Sequence, residues 1–141
     1  MLSLREVGKN LGLRTTIRNS MTLVEKTRQG LQPTTFSKMA RNLEVDEKTL
    51  SAIVSISERT VSRAKKDHKL LPPPISGKLI EIAKVLTLAT EVFEERDSAI
   101  AWLKDDCLAL GNVTPLSLLD TPQGNEIVID ELYAIEYGNF A

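Results

Sequence analysis

The chain has little of the chemistry from which active sites and metal centres are built. Its 141 residues include one cysteine, Cys107, and one histidine, His68. One cysteine excludes an internal disulfide, and a metal site made of His and Cys ligands is almost excluded with it. A Ser-His-Asp or Cys-His catalytic set would have to use His68, which stands in a run of charged residues. We therefore predict no catalytic residues, no metal site and no cofactor, and we expect that the protein is not an enzyme.

Long apolar runs and a targeting signal are also missing. No run approaches the roughly 18 residues needed to span a bilayer. The N-terminal residues lack the continuous apolar core and the small-residue cleavage site of a signal peptide. Together with the low cysteine content, this predicts a protein of the reducing cytoplasm with no membrane partner.

Charge is divided unevenly along the chain. Residues 1–78 carry 15 Lys and Arg against 7 Asp and Glu, whereas residues 79–141 carry 3 against 12. No Lys, Arg or His occurs from Leu110 to the C-terminus. A basic half suits a polyanion and an acidic half suits a basic partner, although two merely solvated faces would give the same distribution.

The spacing of apolar residues predicts an all-α fold with no strand of any length. In the basic half, helices are expected over Met21 to Arg28 and Pro33 to Leu43, followed by two shorter ones that match a helix-turn-helix. Their apolar positions have the spacing by which two helices crossing at a tight turn bury a common wedge. These positions are Leu50, Val54, Ile56, Val61 and Ala64.

The second of these helices is the candidate for DNA contact. With the wedge inward, its N-terminal and outer residues would face a major groove or phosphates. They are Ser57, Arg59, Ser62, Arg63, Lys65 and Lys66. Ser55 stands in the turn where Gly is usual, and Ser51 stands where Ala is usual. The alternative is a purely structural three-helix core that never touches DNA.

A run of prolines, Pro72 to Pro74, is expected to form a stiff extended spacer. Ser76 would then cap a long helix ending at Phe93, whose apolar residues cover more than half of its circumference. Such a helix lies either in the interface of a homodimer, through residues 79–93, or in a larger core. Residues 1–20 are weakly patterned and would form a loose arm or another dimer contact. We expect an arm (1–21), a helix-turn-helix DNA-binding part (22–71) and a second helical domain (75–141).

The last segment carries two signals for a helix start, Thr114-Pro115 and Thr121-Pro122. In each, the Thr hydroxyl can cap free backbone N–H groups, and Pro stands where its missing N–H costs nothing. Gly138 supplies a stop. After Thr121, apolar residues fall at a spacing that predicts one helical face. These residues are Ile127, Val128, Leu132, Ile135 and, approximately, Tyr137.

A specific series of motifs runs through this chain. It comprises Ser57-Glu58-Arg59-Thr60-Val61-Ser62-Arg63, Trp102-Leu103, Leu110-Gly111, Thr114-Pro115-Leu116, Leu118-Leu119-Asp120-Thr121, Gly124 and Gly138-Asn139-Phe140-Ala141. In this order the motifs resemble those of the Xre/MbcA/ParS antitoxins, the partners of RES-domain toxins. The similarity covers roughly residues 22–141.

The resemblance implies an antitoxin of a type II toxin–antitoxin system. Its Xre-like part would bind the operator of its own operon. Its C-terminal part would be a toxin-binding domain that covers the active site of a RES toxin, an enzyme that degrades NAD⁺ or transfers its ADP-ribose. A cleft for the NAD⁺ diphosphate should be basic, so acidic residues with aromatic anchors are expected to fill it. They are Asp120, Glu126, Asp130, Glu131, Tyr133, Glu136, Tyr137, Phe140 and the terminal carboxylate of Ala141.

Two alternatives stay open at this point. The protein can be a standalone helix-turn-helix transcription regulator whose C-terminal half only dimerises. Tyr133 and Tyr137 can pack the last helix onto Trp102 instead of contacting a toxin.

Overall fold

The computed structural model describes residues 2–138, which fold almost entirely into helices. The α-helices are α1 (Leu4–Asn10), α2 (Ser20–Gln29), α3 (Pro33–Leu43), α4 (Glu47–Val54), α5 (Glu58–Asp67), α6 (Pro73–Phe93), α7 (Arg96–Lys104) and α8 (Pro122–Glu136). Two short 3₁₀ helices, η1 (Leu108–Leu110) and η2 (Pro115–Asp120), lie between α7 and α8. Among the described residues there is no strand, only an isolated bridge between Cys107 and Val113. The all-α prediction is confirmed.

Helix α6 is the centre of the fold. It packs against α1, α2, α3 and α4, which precede it in the chain, and against α7 and α8, which follow it. Leu79, Ile82, Ala83, Leu86 and Ala89 on this helix are fully buried. Its apolar circumference is therefore explained by a larger core within the chain. Residues 79–93 leave no exposed apolar face among the described residues, so the structure gives no support to the predicted homodimer contact through this helix.

The start of α6 also differs from the expectation. The helix begins at Pro73 rather than after Ser76, because proline needs no backbone donor in the first turn and its φ is already helical. Ser76 does not cap the helix. Its buried hydroxyl accepts a hydrogen bond from Leu31 N–H at 2.8 Å and donates one to the carbonyl of Leu71 at 3.3 Å. The expected spacer is thus the first turn of a helix that is fixed to the preceding part.

The N-terminal segment is packed onto α6 and is not a loose arm. Val7, Leu11 and Ile17 are buried in the core. The buried amide of Asn10 donates a hydrogen bond to the hydroxyl of Thr87 on α6 at 2.8 Å. These apolar contacts and this paired polar group hold α1 in place.

Two cations of α7 connect the acidic half to the basic half. Lys104 Nζ donates to the carbonyl of Glu44, just beyond α3, at 2.6 Å. Arg96 donates to Asn10 Oδ1 at 3.1 Å and to the carbonyl of Asn42 at 3.5 Å. Cations at the C-terminal carbonyls of a helix are favourable because those carbonyls carry the negative end of its dipole. These bonds help to fix how the two halves are oriented.

Two outward helix faces as candidate binding sites

The helix-turn-helix is built from two capped helices around a buried wedge. Asp46 Oδ1 accepts from Thr49 N–H at 2.8 Å and caps α4, while Ser57 Oγ accepts from Thr60 N–H at 3.0 Å and caps α5. The hydroxyl and the amide of Thr49 both bond to Asp46 and hold the pKa of its carboxyl below the usual value. The wedge is as predicted: Leu50, Val54, Ile56 and Val61 are buried, and Ala64 is half-buried.

The two departures from the usual turn pattern both have a structural consequence. Ser55 adopts a left-handed conformation with φ of +60°, the region that favours glycine. Ser51 is buried on α4, and its hydroxyl finds no hydrogen-bond partner within the described residues. A buried polar group without a partner costs free energy, so this motif is less stable than its shape allows.

Helix α5 turns a polar and basic face outward. Four of its side chains are exposed: Arg59, Ser62, Arg63 and Lys66. They are separated by three, one and three residues, so they lie on neighbouring parts of the helix surface. The hydroxyl of Ser57 is exposed too, although it already caps the helix. Four of the residues predicted to contact DNA are therefore accessible to a partner.

Lys65, also predicted to contact phosphates, is placed differently from these four residues. Its ammonium bonds to Ser37 Oγ and lies 3.6 Å from the carboxylate of Glu47, and Ser37 Oγ in turn donates to Glu47 at 3.3 Å. The side chain is directed back towards α3 and α4. It braces the three helices and does not extend outward to a phosphate.

At the other end of the chain, a tight junction positions α8. Thr121 Oγ1 accepts from Gly124 N–H at 3.0 Å and caps the helix. Gly124 is buried so closely against η2 that a Cβ there would lie 1.7 Å from the carbonyl oxygen of Leu118. Val128 and Leu132 are fully buried. These contacts fix both the start and the rotation of the helix.

The outward face of α8, defined by Glu126, Asp130, Tyr133 and Tyr137, combines acidic and aromatic side chains. Steps of four, three and four residues place them in one line. Tyr133 and Tyr137 are 37% and 76% exposed, and their rings stack with centroids 6.1 Å apart. The pair contacts itself rather than Trp102, whose ring lies against Phe93. The four residues meet the requirement for a protein-binding surface with aromatic anchors.

The remaining predicted toxin contacts are placed less uniformly. Asp120 and Glu136 are exposed, and Glu131 is half-buried. Phe140 and Ala141 lie outside the described residues. The apolar residues predicted to share one face of α8 are divided between two faces, because Val128 and Leu132 are buried whereas Ile127 is 49% and Tyr137 76% exposed. Ile127 flanks the outward face, and it was not among the contacts predicted from the sequence.

A groove of about 550 Å³ runs along one flank of α8, between this helix, α2 and the first part of α6. Leu23, Ile80, Glu126 and Ile129 are among the residues that line it. Among residues 2–138 no group of three or more potential metal ligands comes together. In the same residues, no helix has the length and apolar character that crossing a membrane requires.

Two family descriptions match the chain in succession. Residues 22–84 match the antitoxin Xre-like helix-turn-helix domain, and residues 88–138 match the antitoxin Xre/MbcA/ParS C-terminal toxin-binding domain. The chain belongs to the Xre/MbcA/ParS antitoxin family. It is thus an antitoxin with an Xre-like helix-turn-helix domain, which contains α5, followed by a toxin-binding domain, which contains α8.

Two relatives show how far the similarity extends. The Prs ADP-ribosylating antitoxin of Sphingobium sp. (strain YBL2) is 25% identical in an alignment of 123 positions that covers 81% of this chain and 77% of the relative. Antitoxin Xre of Photorhabdus laumondii subsp. laumondii is 28% identical over 111 residues, which is 78% of this chain and 75% of the relative. Both similarities therefore include parts of each half of the chain.

Proposed function

We propose that this antitoxin neutralises a RES-domain toxin by placing the outward face of α8 and the residues after it in the toxin's NAD⁺-binding cleft. The observation that carries the proposal is the line of two carboxylates and two stacked tyrosines on α8, inside a toxin-binding domain. A cleft that binds a diphosphate is basic and attracts this face. The tyrosines supply rigid contact area at a low cost in side-chain entropy.

The chemistry of the wider family supports the same partner. One relative is called a Prs ADP-ribosylating antitoxin. ADP-ribosylation consumes NAD⁺, the substrate that the resemblance assigns to RES toxins. The antitoxin would act by occupying the cleft and would perform no reaction itself.

We further propose that the helix-turn-helix represses the protein's own operon. Helix α5 would lie in the major groove with Arg59 or Arg63 on guanine and Lys66 near phosphates. Ser57 would add a phosphate contact at the helix start. Lys65 would stabilise the motif from behind through Glu47 instead of contacting DNA.

The test must use substitutions rather than a truncation, because removing α8 would uncover core residues such as Leu119. Glu126→Lys/Asp130→Lys reverses the charge of the outward face without touching the core. Co-expressed with the toxin encoded beside its gene, this variant should fail to restore growth. Its affinity for the toxin should fall by about 2 kcal/mol or more, the size of a hot-spot loss.

The reciprocal variant is Arg59→Ala/Arg63→Ala. It should weaken binding to the upstream DNA of the operon by about 2 kcal/mol and reduce the salt dependence of that binding, while restoring growth as the wild type does. Glu25→Lys, which reverses the charge of an exposed acid on α2, is the matched control for the charge-reversed α8 variant. Rescue by the α8 variant at wild-type level, or loss of rescue in the arginine variant, contradicts the proposal.

A further inference from the structure

The turn between α7 and η2 carries an apolar side chain that the described part of the chain leaves uncovered. Leu108 is 85% exposed, more than any other large apolar residue among those described. Val113, on the other side of the turn, is 38% exposed. A single exposed leucine is common, but two exposed apolar residues on one small turn form a patch that water solvates poorly.

The turn is held rigidly. Cys107 N–H donates to the carbonyl of Val113 at 2.9 Å, and its own carbonyl accepts from the N–H groups of Leu110 and Asn112 at 3.0 and 2.9 Å. Gly111, with φ of +84°, and Asn112, with φ of +62°, are the two left-handed residues of the turn. Since the backbone is already ordered, a partner that binds Leu108 loses little free energy in fixing it.

We propose that the turn of residues 107–113 is a second contact for the toxin, with Leu108 as an anchor that enters an apolar pocket on the toxin surface. The inference rests on the proposed function. The turn lies within the toxin-binding domain, and η1 packs beside α8, so one partner can cover both. Exposed Asp105 and Asp106 give the patch the same acidic border as the face of α8.

The charge of this region argues against a second copy of the chain as the occupant. From Asp105 to the C-terminus there are seven Asp and Glu and no Lys or Arg. In a two-fold symmetric contact the same surface meets itself, so carboxylates would face carboxylates. Like charges across an interface are unfavourable, whereas a basic toxin surface around an apolar pocket complements this one.

Leu108→Ser tests the proposal, with Leu70→Ser as the matched control. Leu70 is a leucine that is 45% exposed, but it lies in the helix-turn-helix domain. The probe is the toxin encoded beside the gene, separated from the complex, refolded and titrated calorimetrically with the full-length antitoxin. Leu108→Ser should raise the Kd for the toxin about tenfold or more. Leu108→Met and Leu70→Ser should each bind the toxin with the Kd of the wild type. Thermal unfolding by circular dichroism verifies that each variant is folded.

The possible results separate this inference from the proposed function. If Leu108→Ser binds as the wild type does while Glu126→Lys/Asp130→Lys is weakened, the second contact is overturned and the α8 contact stands. If neither variant is weakened, both fall. If Leu108→Ser instead converts a dimer to a monomer with unchanged toxin affinity, a second copy covers the turn and the inference is wrong.

Discussion

The two halves of this antitoxin use the same device, a side-chain-capped helix with one face left outward, and they differ in what that face carries. Helix α5 presents two arginines, a lysine and a serine. Helix α8 presents two carboxylates and a pair of stacked tyrosines. Cations with little apolar surface suit a phosphate backbone, where charge supplies most of the affinity. Aromatic rings suit a desolvated pocket on a protein. The difference indicates two classes of macromolecular partner.

The two halves have separate outward faces but share one hydrophobic core. The helix-turn-helix match ends at residue 84 and the toxin-binding match begins at residue 88, both inside α6. Elements of both halves pack against this one helix. Substitutions on an outward face should therefore affect one partner, whereas substitutions in the core should be felt by both.

The strongest way to disrupt the acidic half alone is at the junction of η2 and α8. Gly124→Ala would place a methyl group 1.7 Å from the carbonyl oxygen of Leu118, a backbone atom that cannot move without shifting the start of α8. We expect a loss of about 3 kcal/mol in the free energy of unfolding, at the upper end for an overpacked site. Chemical denaturation measures this loss, and neutralisation of the toxin should decrease with it.

Gly77→Ala is the control. Gly77 lies in α6, and a Cβ there would meet only the methyl group of Thr27 at 3.4 Å, an ordinary contact. Alanine is favoured over glycine within a helix by about 1 kcal/mol, so this variant should be at least as stable as the wild type. Equal stability of the two alanine variants would show that the junction yields easily and that α8 is not fixed in the way described.

Much of this architecture could be predicted because it depends on local rules. The wedge of the helix-turn-helix follows from apolar spacing, and the starts of α5 and α8 follow from Ser57 and from Thr121-Pro122. Pro33–Leu43 has the predicted bounds. The acidic character of α8 could be predicted from the composition. Which of its residues face outward depends on the rotation of the helix about its axis, which the sequence does not give.

What could not be predicted depends on contacts between distant residues. The bond from Asn10 to Thr87 spans 77 positions, and the bond from Lys104 to Glu44 spans 60. The paired ammonium of Lys65 is another such contact. The start of α6 was missed for a different reason, since prolines both end helices and begin them, and only the packing of Ser76 against Leu31 decides between these roles.

Within the basic half, removal of one buried hydroxyl should have a smaller effect on stability. The hydroxyl of Ser51 is buried without a partner among the described residues. Ser51→Ala removes that group and should raise the free energy of unfolding by about 1 kcal/mol, because a desolvated, unpaired hydroxyl is lost and alanine favours the helix. Thermal and urea unfolding measure the gain. Operator binding should not change, since the residue faces away from the outward side of α5.

Ser76→Ala is the matched control, because it makes the same chemical change at another buried serine. Here the hydroxyl is paired, and its removal leaves the N–H of Leu31 without its acceptor. We expect a loss of about 1 to 3 kcal/mol, the usual cost of a buried donor left unpaired. If both variants shift stability in the same direction, pairing of the hydroxyl is not what distinguishes the two sites.

The smallest expected effect is that of acidic pH on stability, and it should differ between the cap of α4 and the cap of α8. The start of α4 is capped by the carboxylate of Asp46, whereas the start of α8 is capped by the neutral hydroxyl of Thr121. Bonds from Thr49 lower the pKa of Asp46, so its ionised form is favoured by folding. Its contribution to stability is present above the pKa of the unfolded chain and is lost as the pH falls through the lower pKa of the folded state. Thr121 does not titrate.

Asp46→Asn keeps an acceptor at the cap but removes the titration. Between about pH 6 and about pH 3, the wild type should therefore lose more stability than this variant, by a small margin because the group is fully exposed. Amide exchange measured by NMR locates the change: protection at Thr49 should fall in the wild type, while protection at Gly124 responds only to global unfolding. Parallel acid profiles for the two proteins would mean that the charge of Asp46 makes no difference to how α4 is held, and the two halves would then be equally insensitive to acid at their caps.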